Sequence, residues 1–115
     1  MQEKELINIS ESLLNNADFE IDFESFPLAI IFTFYVAGTN KKVKIKCNQI
    51  KRLGIEKDIS EEAFFTTLDT KVQRDEVESL WRVRIDGPDI FVDVKFKDVD
   101  WALSLMTKED LAMFQ

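Results

Sequence analysis

The chain of 115 residues contains no His, and it has a single Cys, 3 Gly and 2 Pro. Each shortage excludes something. Without His, the commonest acid–base group and metal imidazole are absent. With Cys47 alone there is no intramolecular disulfide framework, and a thiolate zinc site lacks its ligands. So little Gly and Pro argues against a collagenous or low-complexity chain. No apolar run reaches the roughly 18 residues of a membrane helix. No basic segment leads into an apolar one at the start, so no secretory signal is expected, and the cytoplasm is the expected setting.

What is present is aromatic and acidic. There are 10 Phe, 2 Trp and 1 Tyr, and 45% of the residues are hydrophobic, enough for one domain over residues 1–115 to build its own core. The net charge is −7, and it is unevenly spread. Residues 1–40 hold 7 acids and 1 base, whereas residues 41–55 hold 6 bases and no acid. The remainder is acidic again. The balance argues against direct nucleic-acid binding by the basic block.

Periodicity gives the elements. Leu6, Ile9, Leu13 and Ala17 recur at helical spacing, so a first amphipathic helix is expected over 3–16. Residues 18–24 alternate strictly: Phe19, Ile21 and Phe23 to one face, Asp18, Glu20, Asp22 and Glu24 to the other. Residues 28–37 are an almost continuous apolar run, which reads as a strand buried on both faces. After Gly38-Thr39-Asn40, Val43, Ile45 and Cys47 alternate with Lys42, Lys44 and Lys46, so 28–47 is expected as a hairpin. Asn48 to Gly54 reads as a short helical turn, with Ile50 and Leu53 inward. Ser60, Phe64 or Phe65, Leu68 and Val72 suggest a helix over 60–72. A second hairpin, 80–86 with 90–97, closes around Gly87-Pro88-Asp89. Residues 98–106 fit either strand or helix. Thr107 and Asp110 are placed for a capping box on a short last helix. The expected fold is therefore α+β, a two-layer plan with an antiparallel sheet of five or six strands and helices packed on one face.

Chemistry is thin. Cys47 sits at an inward position with no base to activate it. Asp86, Asp89, Asp93, Asp98 and Asp100 cluster along the second hairpin without the spacing of a calcium loop. The distinctive feature is the acid comb 18–24, whose teeth repeat at about 6.6–6.8 Å. Such a row imitates a short run of phosphates, and a basic cleft built for nucleic acid would accept it. The reading is a small acidic binding protein, not an enzyme, needing no cofactor or metal. It is of the immunity or antitoxin type and occludes a basic, nuclease-like partner by charge complementarity. Asp18, Glu20, Asp22 and Glu24 lead, Asp86, Asp89 and Asp93 form a second patch, and Trp81 and Trp101 are anchor candidates. The alternatives are an oligomeric subunit or small-ligand module, and a carboxylate-based metal-dependent enzyme. Strand order decides between a working comb and a cancelled one, because Lys42, Lys44 and Lys46 share its spacing with the opposite sign.

Overall fold

The computed structural model describes residues 2–25, 28–36, 38–57 and 65–113. Helix α1 (Gln2–Leu13) comes first. Strands β1 (Asp18–Ser25), β2 (Leu28–Tyr35), β3 (Lys41–Lys57), β4 (Phe65–Thr66), β5 (Asp69–Asp75), β6 (Leu80–Asp86) and β7 (Ile90–Leu105) follow, and α2 (Lys108–Ala112) ends the series. The strands form one sheet of order β4-β1-β2-β3-β7-β6-β5, antiparallel throughout. It is curled into a half-barrel, 64% of the described residues are strand, and the two helices are short. This replaces the two-layer α+β plan of five or six strands.

The physical reason lies in three segments. Asp69–Asp75 is a strand rather than the end of a helix, because Thr70 and Val72 turn inward on alternate residues and pair with Ile85 and Val83. The first part of that expected helix, 60–64, lies outside the described residues. Residues 48–54 do not form a helical turn. Gln49 takes a positive φ of 55°, a register shift follows between Ile50 and Arg52, and β3 then pairs with β7 as far as Lys57. Such a bulge bends and twists the ladder without ending it. Residues 98–105 continue β7 along β3, so that ambiguity resolves as strand. The expected hairpins 28–47 and 80–97 are both present, and so is the capping box at Thr107 and Asp110.

Curling brings the two ends of the sheet together. β4 lies at one edge and β5 at the other, yet only Thr67 and Leu68 separate them. Thr67 N–H donates to the Ala17 carbonyl at 2.8 Å, and Leu68 N–H to that of Asp86 at 2.7 Å. At this seam Gly87 passes so close to the Thr66 carbonyl that a Cβ there would collide with it. Glycine is required for the approach rather than for its dihedral freedom.

The concave side carries the core. Phe19, Ile30, Phe32, Phe34, Val43, Ile45, Cys47, Val83, Ile85, Val92, Val94 and Phe96 are fully buried there, joined by Leu6 of α1 and by Leu14 just after it. Phe19 lies 5.4 Å from Phe34 and 6.4 Å from Phe32, ring centre to ring centre. At the far end of the same strand Phe23 remains 57% exposed, so only part of the apolar row in β1 reaches the core.

Candidate functional site: the convex face

Register places both combs on the convex face. Asp18, Glu20 and Asp22 lie opposite Tyr35, Thr33 and Ile31 of β2. Those three lie in turn opposite Lys42, Lys44 and Lys46 of β3. The acids and the lysines therefore share a face but stand two strand spacings apart, about 10 Å. β2 separates them because its run is apolar on both sides. On the convex side Ala29, Thr33 and Tyr35 are buried, and the long aliphatic stems on either side provide the cover.

The separation limits cancellation. Lys46 reaches across β2 to Glu24 at 3.0 Å. Lys42 turns the other way, to Asp110 of α2 at 2.7 Å. Lys44 makes no ion pair among the described residues. Glu20 accepts the Tyr35 hydroxyl at 2.8 Å and Asp18 the Thr66 hydroxyl at 3.0 Å. Asp22 is exposed. Beyond the lysines, Asp98 and Asp100 of β7 accept from Gln49 and Asn48. Asp18, Glu20, Asp22, Glu24, Asp98, Asp100 and Asp110 thus outnumber Lys42, Lys44 and Lys46 on this side of the sheet.

Titration follows the contacts. Burial first, then the Glu20 carboxylate, holds the Tyr35 phenol above its ordinary value. The Lys42 ammonium, and then the Thr107 N–H, hold Asp110 below the usual carboxylate range. A depressed carboxylate stabilises the fold above its unfolded value and loses that contribution as pH falls through its folded one. Asp110→Asn is therefore expected to flatten the fall in melting temperature below about pH 4. An acid limb as steep as that of the parent protein would refute the assignment.

The other sequence candidates are scattered. Asp93 is engaged bidentately by Arg82, at 2.9 and 2.7 Å, and the Arg82 hydrogen bonds lower its titration. Asp86 and Asp89 are exposed near the seam, where the Asp86 carbonyl accepts from the Leu68 N–H. Trp81 is 5% exposed, a wall of the core rather than a surface anchor, and the Arg74 guanidinium lies 5.7 Å from its ring. Trp101 is half-buried on β7. Cys47 is fully buried, and burial pushes its thiol up. Among the described residues no three His, Cys, Asp or Glu side chains gather as a metal site. No helix among them is long and apolar enough to cross a membrane.

Two features escaped sequence reasoning. Asp110 joins the convex face from α2, across 68 residues of sequence from Lys42; the capping signal located it, but nothing announced the lysine. A cleft of about 670 Å³ opens beside α1, lined by Ile7, Val72, Arg74 and Trp81 among others. Nη1 of Arg74 is buried there without a hydrogen-bond partner among the described residues. It depends on β5 being a strand, so a helical reading of this segment conceals it.

The chain matches no protein-family model and no curated protein.

Proposed function

We propose that the protein is a small acidic inhibitor of the immunity or antitoxin type, acting in the cytoplasm, which occludes a basic, nuclease-like protein by charge complementarity and performs no chemistry of its own. The observation that carries this reading is the register of β1, β2 and β3. It sets the backbones of the acid strand and the lysine strand about 10 Å apart, and among the described residues a lysine bridges Glu24 but not Asp18, Glu20 or Asp22, so the field of those three extends into solvent. An uncancelled anionic row steers a basic partner and raises its association rate more than it lengthens the life of the complex. The metal-enzyme alternative receives no support from Asp86, Asp89, Asp93, Asp98 and Asp100, which do not converge.

The small-ligand alternative draws on the Arg74 cleft. It stands second because Glu11, Asp75, Glu76 and Glu78 outnumber Arg74, Arg82 and Lys95 in the lining of that cleft, which leaves no net pull on an anion.

The test is a pull-down at low and high salt, followed by stopped-flow association of the captured basic protein with the parent chain and with the double variant Asp22→Lys, Glu24→Lys. Both sites are exposed, and the Glu24–Lys46 pair that Glu24→Lys breaks is a surface pair worth at most about 1 kcal/mol, so folding is expected to be preserved. Association is expected to slow about tenfold or more at low ionic strength, with the difference shrinking as salt rises. Equal association rates for the two proteins would refute the reading.

A further inference from the structure

β7 outlasts its neighbour. β6 pairs with it only from Phe91 to Phe96, whereas β3 follows it to Leu105. From Lys97 to Leu105 the second edge of β7 carries no strand among the described residues. The Met106 N–H donates to the Asn40 carbonyl. Continued in step, that ladder assigns the even-numbered residues of this stretch to β3. The peptide groups of Val99, Trp101, Leu103 and Leu105 therefore point out of the open edge, and no hydrogen bond from elsewhere in the described chain takes them up. Protected edges carry charge, proline or a bulge. The run Trp101-Ala-Leu-Ser-Leu105 has neither charge nor proline, and its pairing with β3 is unbroken. Leu103 is 42% and Leu105 71% exposed.

The near end of this edge is acidic. Glu5 of α1 joins Val99, Asp100 and Trp101 around a notch of about 300 Å³. A carboxylate on each side and an indole in the wall suit one Lys or Arg head group. A neighbouring recess holds Glu3 and Asp98 with Lys97 and Arg74 and is balanced in charge, so the acidic notch is the one between Glu5 and Asp100.

We propose that the open edge of β7 receives an extended basic segment of a partner protein by strand addition, with a Lys or Arg side chain seated between Glu5, Asp100 and Trp101. Main-chain hydrogen bonds supply the grip and the alternate side chains the selectivity. The inference rests on the partner being basic, as proposed above, and names where an extended part of it docks. A second copy of this chain fits less well. Antiparallel self-pairing centred on Trp101 sets Asp98 and Asp100 opposite Ser104 and Ala102, which leaves both notches without a cation.

The probe is a ten-residue peptide of alternating Lys and Val, with a Glu–Val peptide as its counterpart, added to the full chain. The Lys–Val peptide is expected to slow amide exchange at Trp101, Leu103 and Leu105 and to change tryptophan fluorescence. Leu103→Pro removes an N–H that β3 does not use, so it is expected to weaken peptide binding at least tenfold while the melting temperature holds. The exchange measurement on the parent protein decides the matter without any variant. Glu5→Gln with Asp100→Asn is expected to weaken binding and flatten its salt dependence. The proposal is overturned by peptide binding that leaves those amides unprotected, by equal binding of the Glu–Val peptide, or by a dimer that Leu103→Pro converts to monomer. Protection at β7 together with comb variants that bind the basic protein at the parent rate supports the edge and refutes the comb. A slowed comb variant with no protection at β7 does the reverse.

Discussion

Truncating Phe19 to Ala is expected to cost about 3–5 kcal/mol, and to lower the melting temperature by on the order of 10–25 °C for a chain of this size. The side chain is fully buried and its ring is flanked by Phe34 at 5.4 Å, Phe65 at 5.6 Å and Phe32 at 6.4 Å. Those neighbours belong to β2 and β4, on opposite sides of β1. The cavity would therefore loosen both flanks at once, and rigid rings on a paired backbone cannot collapse into it easily. Phe23→Ala is the internal control. It removes the same atoms from the same row of the same strand, but its ring is 57% exposed, so a loss of roughly 0.5 kcal/mol or less is expected. Urea unfolding of the two variants checks both values. Similar midpoints would show that the aromatic cluster is not where the concave core is held.

That contrast also marks what was legible beforehand. Alternation in 18–24 identifies the strand and which residues share a side, because a period of two is a property of the residues alone. It does not say how far along the strand the cover extends, which depends on β4 reaching Phe19 but not Phe23. The hairpins were legible for the same local reason: Gly38 has the positive φ of 74°, and Gly87-Pro88-Asp89 interrupts two alternating runs. The curl was not. It arises from Gln49 and the register shift beside it, and a non-glycine residue at positive φ leaves no periodic trace. Near residue 70 the pattern has two solutions, because apolar spacing at four residues suits a helix and also the alternate inward positions of a strand. The comb itself was legible as far as its alternation. The fate of its charge was not, because that depends on β2 lying between β1 and β3.

The seam shows the same dependence on long-range contacts, and it carries the second large effect. Thr67 is fully buried. Its hydroxyl donates to the Leu14 carbonyl at 2.8 Å and accepts the Ala17 N–H at 2.9 Å. Thr70 donates to the same Leu14 carbonyl at 2.7 Å, and its own N–H reaches Asn15 Oδ1 at 3.0 Å. These bonds tie the end of α1 to the segment that joins the two edges of the sheet. Val matches Thr in shape but neither donates nor accepts, so Thr67→Val leaves a buried Ala17 N–H unpaired, at a cost of about 1–3 kcal/mol. Thr70→Val is expected to cost less, because its backbone bond to Asn15 survives and Thr67 still serves Leu14. The double variant strips that carbonyl of both hydroxyls. Its cost should therefore exceed the sum of the single losses, by roughly 0.5 kcal/mol or more. A double-mutant cycle in urea measures this directly, with faster amide exchange at Thr67 and Leu68 as the local sign that the seam has opened. Strict additivity would mean that each hydroxyl holds α1 independently, and that the shared carbonyl is not the point at which the helix fastens the curled sheet.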